Sequence, residues 1–304
     1  MKNLRKLLAP LSIVLLSVIV FSSCKKDDPI VTPPKDITVV ATENGSFTKL
    51  VAALAKVDLV KTLQGAGPYT VFAPNDAAFG KVDLSATSND DLKATLLYHV
   101  LAAKVLAADI KTGQTEAGSA GGPKLYISKN ANGVFINGNS KVIATDVAAS
   151  NGVIHVLDNV LKVPTATIAG IVTADKANFS TLLSLVSRAG LATTLSDPNA
   201  SYTVFAPTNA AFDELSKTVN PATLSNEQVK QILLYHVVPS RVFSPELVNG
   251  DVTMADSNKG KVTIDLTNGA TVKGKSNTTA SKITGVNIMA TNGVIHVIDR
   301  VLLP

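Results

Sequence analysis

Tyr69-Thr70-Val71-Phe72-Ala73-Pro74 returns unchanged as Tyr202-Thr203-Val204-Phe205-Ala206-Pro207, and three further blocks follow in the same order. Ala77-Ala78-Phe79 returns as Ala210-Ala211-Phe212, and Leu96-Leu97-Tyr98-His99-Val100 as Leu233-Leu234-Tyr235-His236-Val237. Asn151-Gly152-Val153-Ile154-His155-Val156 returns as Asn292-Gly293-Val294-Ile295-His296-Val297. The spacing between copies grows from 133 residues at Thr70 and Thr203 to 137 at His99 and His236, then to 141 at His155 and His296. The second copy therefore carries insertions of four residues between the blocks, and the blocks themselves stay intact. A period this long is a duplicated domain, since solenoid units run roughly 20–50 residues. A chain of 304 residues suits two such domains, at roughly 100–200 residues each.

The blocks carry a resemblance. Strand-Ala-Pro followed by Asn75-Asp76 or Thr208-Asn209 and then Ala-Phe, with Pro74 and Pro207 at its centre, is similar to the first signature of the fasciclin-like domain family. Tyr-His-Val resembles its middle signature. Asn-Gly-Val-Ile-His-Val-(Leu/Ile)-Asp, carrying Asn151, Gly152 and His155 or Asn292, Gly293 and His296, resembles its last. That family is an adhesion-associated module. The resemblance implies an α+β class: two tandem domains, each an antiparallel β-wedge or sandwich packed with several short α-helices. The organisation expected is a lipoprotein signal peptide at 1–23, a Pro-rich tether at 24–35, domains at 36–161 and 167–304, and a linker at 162–166.

Lys2, Arg5 and Lys6 precede an apolar run from Leu7 to Val20, then Phe21-Ser22-Ser23 leads into Cys24. This is a signal-peptide layout, too short for a comfortable membrane span. Cys24 is the only cysteine, so no intramolecular disulfide forms. A Cys directly after small residues resembles the bacterial lipoprotein signal, which implies a lipid on Cys24; two or more acyl chains anchor stably. Phe21 stands where that signal usually has Leu. Lys25 after the Cys argues, by the same resemblance, against inner-membrane retention. Lys25-Lys26-Asp27-Asp28 resembles a surface-export signal, a solvated spacer being the alternative reading. The expected location is the outer membrane, facing outward or into the periplasm. Without Lys2, Arg5 and Lys6 the balance is 25 basic to 23 acidic residues, too even to argue for nucleic acid.

Within each repeat, Phe47, Leu50, Val51 and Leu54 share one helical face, as do Phe179, Leu182, Leu183 and Val186. Ser46 is the expected N-cap of the first helix. Gly190 ends the second in the left-handed conformation, with Asp58 at the equivalent place in the first. Asn75-Asp76 and Thr208-Asn209 read as turn-capping side chains; one carboxylate is far short of a calcium loop. Ser88 and Ser225 open capping boxes. From those caps, Leu92, Leu96 and His99 fall on one stripe, as do Val229, Leu233 and His236. Alternation around Asn132-Gly133, Asn137-Gly138 and Asn268-Gly269 predicts hairpins. The Val153–Asp158 and Val294–Asp299 segments, apolar on both faces, predict central strands with His155 and His296 buried.

A histidine on an apolar stripe reads as a neutral core residue whose ring nitrogens tie down a loop. The resemblance adds a second reading. In vertebrate matrix members the Tyr-His region is implicated in integrin recognition, which implies ligand contact at Tyr98, His99, Tyr235 and His236. An Asp-Ile pair is a further contact there, approximated by Asp146-Val147 in repeat one. Repeat two has Asn287-Ile288, without the carboxylate.

No Gly-x-Ser-x-Gly or His-Glu-x-x-His occurs, no nucleophile stands beside a base, and a zinc site would need three or four converging ligands. The chain is therefore read as non-enzymatic, without cofactor or metal. Its expected function is lipid-anchored adhesion, docking on a matrix protein, a glycan or a neighbouring cell, with two weak sites reinforcing each other. The alternative is an accessory subunit of an outer-membrane assembly, such as a polysaccharide-capture system.

Overall fold

The computed structural model describes residues 34–304 apart from 84–86, 257 and 259. The expected signal peptide, Cys24 and the tether up to residue 33 lie outside the described residues. Repeat one runs α1 (Ile37–Glu43), α2 (Thr48–Lys56), α3 (Val60–Leu63), β1 (Tyr69–Pro74), α4 (Asp76–Phe79), α5 (Asn89–Tyr98), β2 (Val100–Leu101), β3 (Gly113–Gly118), β4 (Lys124–Asn130), β5 (Gly133–Ile136), β6 (Ser140–Ala149) and β7 (Gly152–Leu157). Repeat two runs α6 (Ile168–Ala174), α7 (Lys176–Arg188), α8 (Ala192–Ser196), β8 (Tyr202–Pro207), α9 (Asn209–Ser216), α10 (Asn226–Leu234), β9 (Val237–Val238), β10 (Gly250–Thr253), β11 (Lys261–Asp265), β12 (Thr271–Gly274), β13 (Ser281–Ala290) and β14 (Gly293–Ile298).

Each repeat builds one seven-stranded sheet, in the order β2-β1-β7-β6-β5-β4-β3 and, read the other way, β10-β11-β12-β13-β14-β8-β9. The sheets are mixed. β1 lies parallel to β7, and β8 to β14, while every other pairing is antiparallel. The parallel pairs are the segments buried on both faces, as expected of strands covered from either side. Alternate residues of β1 feed two cores. Val71 and Ala73 join Phe47, Leu50, Leu92 and Leu96 under the helices. Phe72 joins Tyr98, Leu125, Ile127 and Ile136 inside the curved sheet.

The repeated Asn-Gly pairs hold this arrangement together. Asn151 Oδ1 accepts the Ile37 amide at 3.0 Å, while its Nδ2 donates to the carbonyls of Leu63 and Gly65 at 2.7 and 2.8 Å. Asn292 does the same for Ile168, Leu195 and Asp197. One buried amide thus fixes both the start of the first helix and the end of the third. A Cβ on Gly152 would sit 2.2 Å from Tyr69 O, and one on Gly293 2.3 Å from Tyr202 O. Only glycine permits that approach.

Three local expectations are corrected. Helices α1 and α6 precede the first helix read from periodicity. Ser46 does not cap α2: the Asp76 carboxylate reaches across and accepts from the amides of Thr48 and Lys49 at 3.2 and 2.8 Å. Asn75 and Thr208 cap α4 and α9, and Ser225 forms a reciprocal box with Gln228. Ser88 accepts from the Asp91 amide, but its hydroxyl donates to the Asp91 carboxylate, so no reciprocal box forms there.

Candidate functional site

The Tyr-His pairs end α5 and α10 inside the protein. Tyr98 is fully buried; its hydroxyl donates to Lys124 O at 2.9 Å and accepts from Asn137 Nδ2 at 2.9 Å. Burial pushes its phenol up to about 12. The Tyr235 hydroxyl donates to Lys261 O and accepts the Lys275 amide. His99 Nδ1 donates to Thr95 O at 2.7 Å, and Nε2 accepts the Leu161 amide at 2.9 Å. His236 makes the same pair with Ile232 O and the Leu302 amide. Desolvation pulls each of these imidazoles down to about 4. They fasten the segment after β7 or β14 to the helix end. The side chains that the family resemblance marks for contact, Tyr98, His99, Tyr235 and His236, are therefore spent inside the core.

Asp146 and Asn287 stand at one place in the two folds. Each adopts a left-handed backbone, φ 58° and 57°, at an irregularity of β6 or β13. Each backbone amide points to a buried histidine: Asp146 N to His155 Nδ1 at 3.3 Å, and Asn287 N to His296 Nδ1 at 3.4 Å. The opposite ring nitrogens meet the carbonyls of Val105 and Val242 at 2.8 and 3.0 Å. The side-chain oxygens also match. Asp146 Oδ1 accepts the Ala107 amide at 2.9 Å, and Asn287 Oδ1 the Ser244 amide at 2.7 Å. Asp and Asn tolerate the left-handed region because a short polar side chain can bond locally.

Their surroundings differ. Asp146 is exposed, as are Lys104, Leu106 at 36% and Ile143 at 51% relative exposure; Val147 next to it is half-buried. Asn287 is 2% exposed because repeat one covers it. Its Nδ2 donates to Gly138 O at 3.0 Å, and Asn139 Nδ2 donates back to Asn287 O at 3.0 Å. A Cβ on Gly138 would lie 2.7 Å from Phe243 Cβ and 2.8 Å from Asn287 Cγ, so this turn fits only as glycine.

The rest of that contact was not read from sequence. The Arg241 guanidinium lies 4.3 Å from the Tyr126 ring centre, and it donates to the carbonyls of Ala290, Gly293 and Thr291. Phe243 packs on Tyr126 with ring centres 5.8 Å apart. The Glu246 carboxylate accepts from Gln114 Nε2 at 3.0 Å and from the Ser128 hydroxyl. Asn130 Nδ2 donates to Pro245 O. The sequence signal was the loss of symmetry: Lys104, Leu106 and Asp146 in repeat one become Arg241, Phe243 and Asn287 in repeat two. Among the described residues no group of three His, Cys, Asp or Glu side chains is placed to hold a metal. No described helix is long and apolar enough to cross a membrane.

The Fasciclin domain profile matches residues 45–164 and again 177–304. Transforming growth factor-beta-induced protein ig-h3 of Sus scrofa is 27% identical over 293 residues, covering 92% of this chain and 41% of its own length. Human periostin is 30% identical over 262 residues, covering 81% of this chain and 29% of its own. The chain thus spans less than half the length of these relatives. A solved FAS1 domain pair from the insect cell adhesion molecule fasciclin I aligns over 86% of this chain and 98% of its own, at 19% identity and a TM-score of 0.43. Two matches in tandem cover most of the chain: it belongs to the fasciclin-domain family.

Proposed function

We propose that this chain is a non-enzymatic cell-surface adhesion protein, held to the outer membrane by lipid on Cys24. It docks without covalent chemistry on a matrix protein, a glycan or a neighbouring cell. The docking face is that of repeat one around Asp146 and Val147, with Lys104, Leu106 and Ile143. One observation carries the reading: this face is exposed, with only Oδ1 of its carboxylate engaged among the described residues, and its counterpart around Asn287 is already packed against the other repeat. A surface that docks a protein domain in one repeat is suited to dock a partner in the other. An exposed Leu106 next to the Ala107 amide that Asp146 holds sets an aliphatic side chain close to a carboxylate, a mixture that suits the polar rim and apolar centre of recognition surfaces. The buried His155 supports this face from beneath, its ring joining the Asp146 amide to the Val105 carbonyl. Among the described residues one such face is open, so this reading uses a single site rather than two equal ones.

The test is binding of the compact unit 34–304 to immobilised matrix proteins and polysaccharides. Saturable binding to one class, weakened by Leu106→Ala and Asp146→Asn, supports the reading. Absence of binding across the panel favours an accessory subunit of a membrane assembly, and membrane partners are then sought by co-purification. Cys24→Ser should release the full chain from the membrane fraction; retention there overturns the anchor.

A further inference from the structure

The helical ends of the two repeats differ at four matched positions. Setting Ile37 on Ile168 and Leu63 on Leu195, which bond the same asparagine atoms, pairs Val39 with Gly170 and Glu43 with Ala174. The same alignment pairs Val60 with Ala192 and Gln64 with Ser196. At each position repeat two has the smaller side chain. The larger four line a hollow of about 320 Å³ in repeat one. The smaller four line one of about 750 Å³ in repeat two, within the roughly 300–1,000 Å³ of small-molecule sites.

The floor of this hollow is buried and aliphatic, from Val172, Leu182, Leu195 and Leu233. Its rim is hydroxylic and exposed, at Thr173 and Ser196. No Asp, Glu, Lys or Arg lines it. His236 is on the wall, but both its ring nitrogens are engaged by Ile232 and Leu302. Arg188, next to the rim, turns its guanidinium to the carbonyls of Pro221 and Leu224. The space is costly to leave unfilled, because the lining loses its packing partners. Gly170 inside α6 adds the helix penalty of glycine, about 1 kcal/mol against alanine.

We propose that this cavity of repeat two is a binding site for a neutral lipophilic small molecule. The apolar body lies among the aliphatic floor residues, and an uncharged polar end meets the rim hydroxyls. A fatty-acid carboxylate finds no Lys or Arg among the lining residues to pair with, whereas an uncharged hydroxyl matches the Thr173 and Ser196 hydroxyls. The inference is independent of the docking face on repeat one.

The test uses the 34–304 unit and the neutral fluorophore N-phenylnaphthylamine. Saturable enhancement at one probe per chain is expected, with displacement by dodecanol and not by laurate at neutral pH. Restoring the repeat-one residues in Ala192→Val/Ser196→Gln should weaken binding at least about tenfold. Ala174→Glu, at the exposed rim, should do the same without touching the core; melting temperature checks that both variants fold. No saturable enhancement, unchanged binding in the folded variants, or displacement by laurate as good as by dodecanol would each overturn the proposal.

Discussion

Asp146 and Asn287 occupy the same backbone conformation, hold the same loop amide and lean on the same histidine, yet one faces water and the other faces a domain. The fold requires a short polar side chain at this place, and that requirement explains both residues. It does not explain why one is acidic. At Asn287 the amide group must donate to Gly138 O as well as accept from Ser244, which a carboxylate cannot do. At Asp146 only acceptance is needed, and the second oxygen is left over. The comparison separates what the domain needs to fold from what each copy does with its surface. Repeat two uses the face to hold repeat one, whereas repeat one presents it.

The largest expected effect tests where the two repeats are alike. His99 and His236 are neutral in the fold with pKa about 4, against an ordinary value near 6.5. Between those values the unfolded chain binds protons that the folded chain does not. Stability is complete above about pH 6.5, falls as pH drops towards 4, and levels off below it, on the order of 3 kcal/mol per histidine. Denaturant unfolding at pH 7 and 4.5 measures it, and His99→Ala and His236→Ala should each remove a similar share of the slope. A slope that only one repeat supplies would break the equivalence.

Gly138→Ala comes next. Its Cβ would strike Phe243 and Asn287, costing about 3 kcal/mol through strain and a displaced contact. Melting should then show the repeats losing their mutual stabilisation. A smaller effect sharpens the comparison itself. Asn287→Ala should cost about 2 kcal/mol more than Asp146→Ala, since the left-handed penalty is common to both and only Asn287 leaves buried partners unmatched. Equal costs would mean that the contact between repeats contributes nothing at this point. Smallest is Asp146→Asn, which keeps the loop acceptor and should change stability by less than about 0.5 kcal/mol.

The reasons for what could be read in advance are local. Duplication was visible because the blocks that repeat are those that set the fold: Asn151 and Asn292 with their glycines, the strands at Tyr69 and Tyr202, and the histidine stripes. Helix α1, Ile-Thr-Val-Val-Ala-Thr-Glu, is rich in β-branched residues and carries no helical signature; the Asp36 cap and the distant Asn151 make it helical. The parallel pairing of β1 with β7 joins segments some eighty residues apart, beyond any local pattern. Strand β3 is short, exposed and polar, and it is ordered by pairing with β4. The burial of Tyr98 and His99 was half legible, since the stripe pointed inward while the resemblance pointed outward. The contact through Tyr126, Gly138 and Arg241 left only a trace, a broken symmetry between copies, because an interface depends on two surfaces that sequence does not bring together.

The most direct measurement of the account is binding of the 34–304 unit and its Asp146→Asn variant, side by side, to whichever immobilised matrix protein or polysaccharide retains the wild type. The prediction is saturable wild-type binding that weakens at least about tenfold in the variant, with both proteins melting at the same temperature. Binding indifferent to Asp146→Asn, or none on any surface, would contradict the claim that repeat one keeps open the face that repeat two has closed.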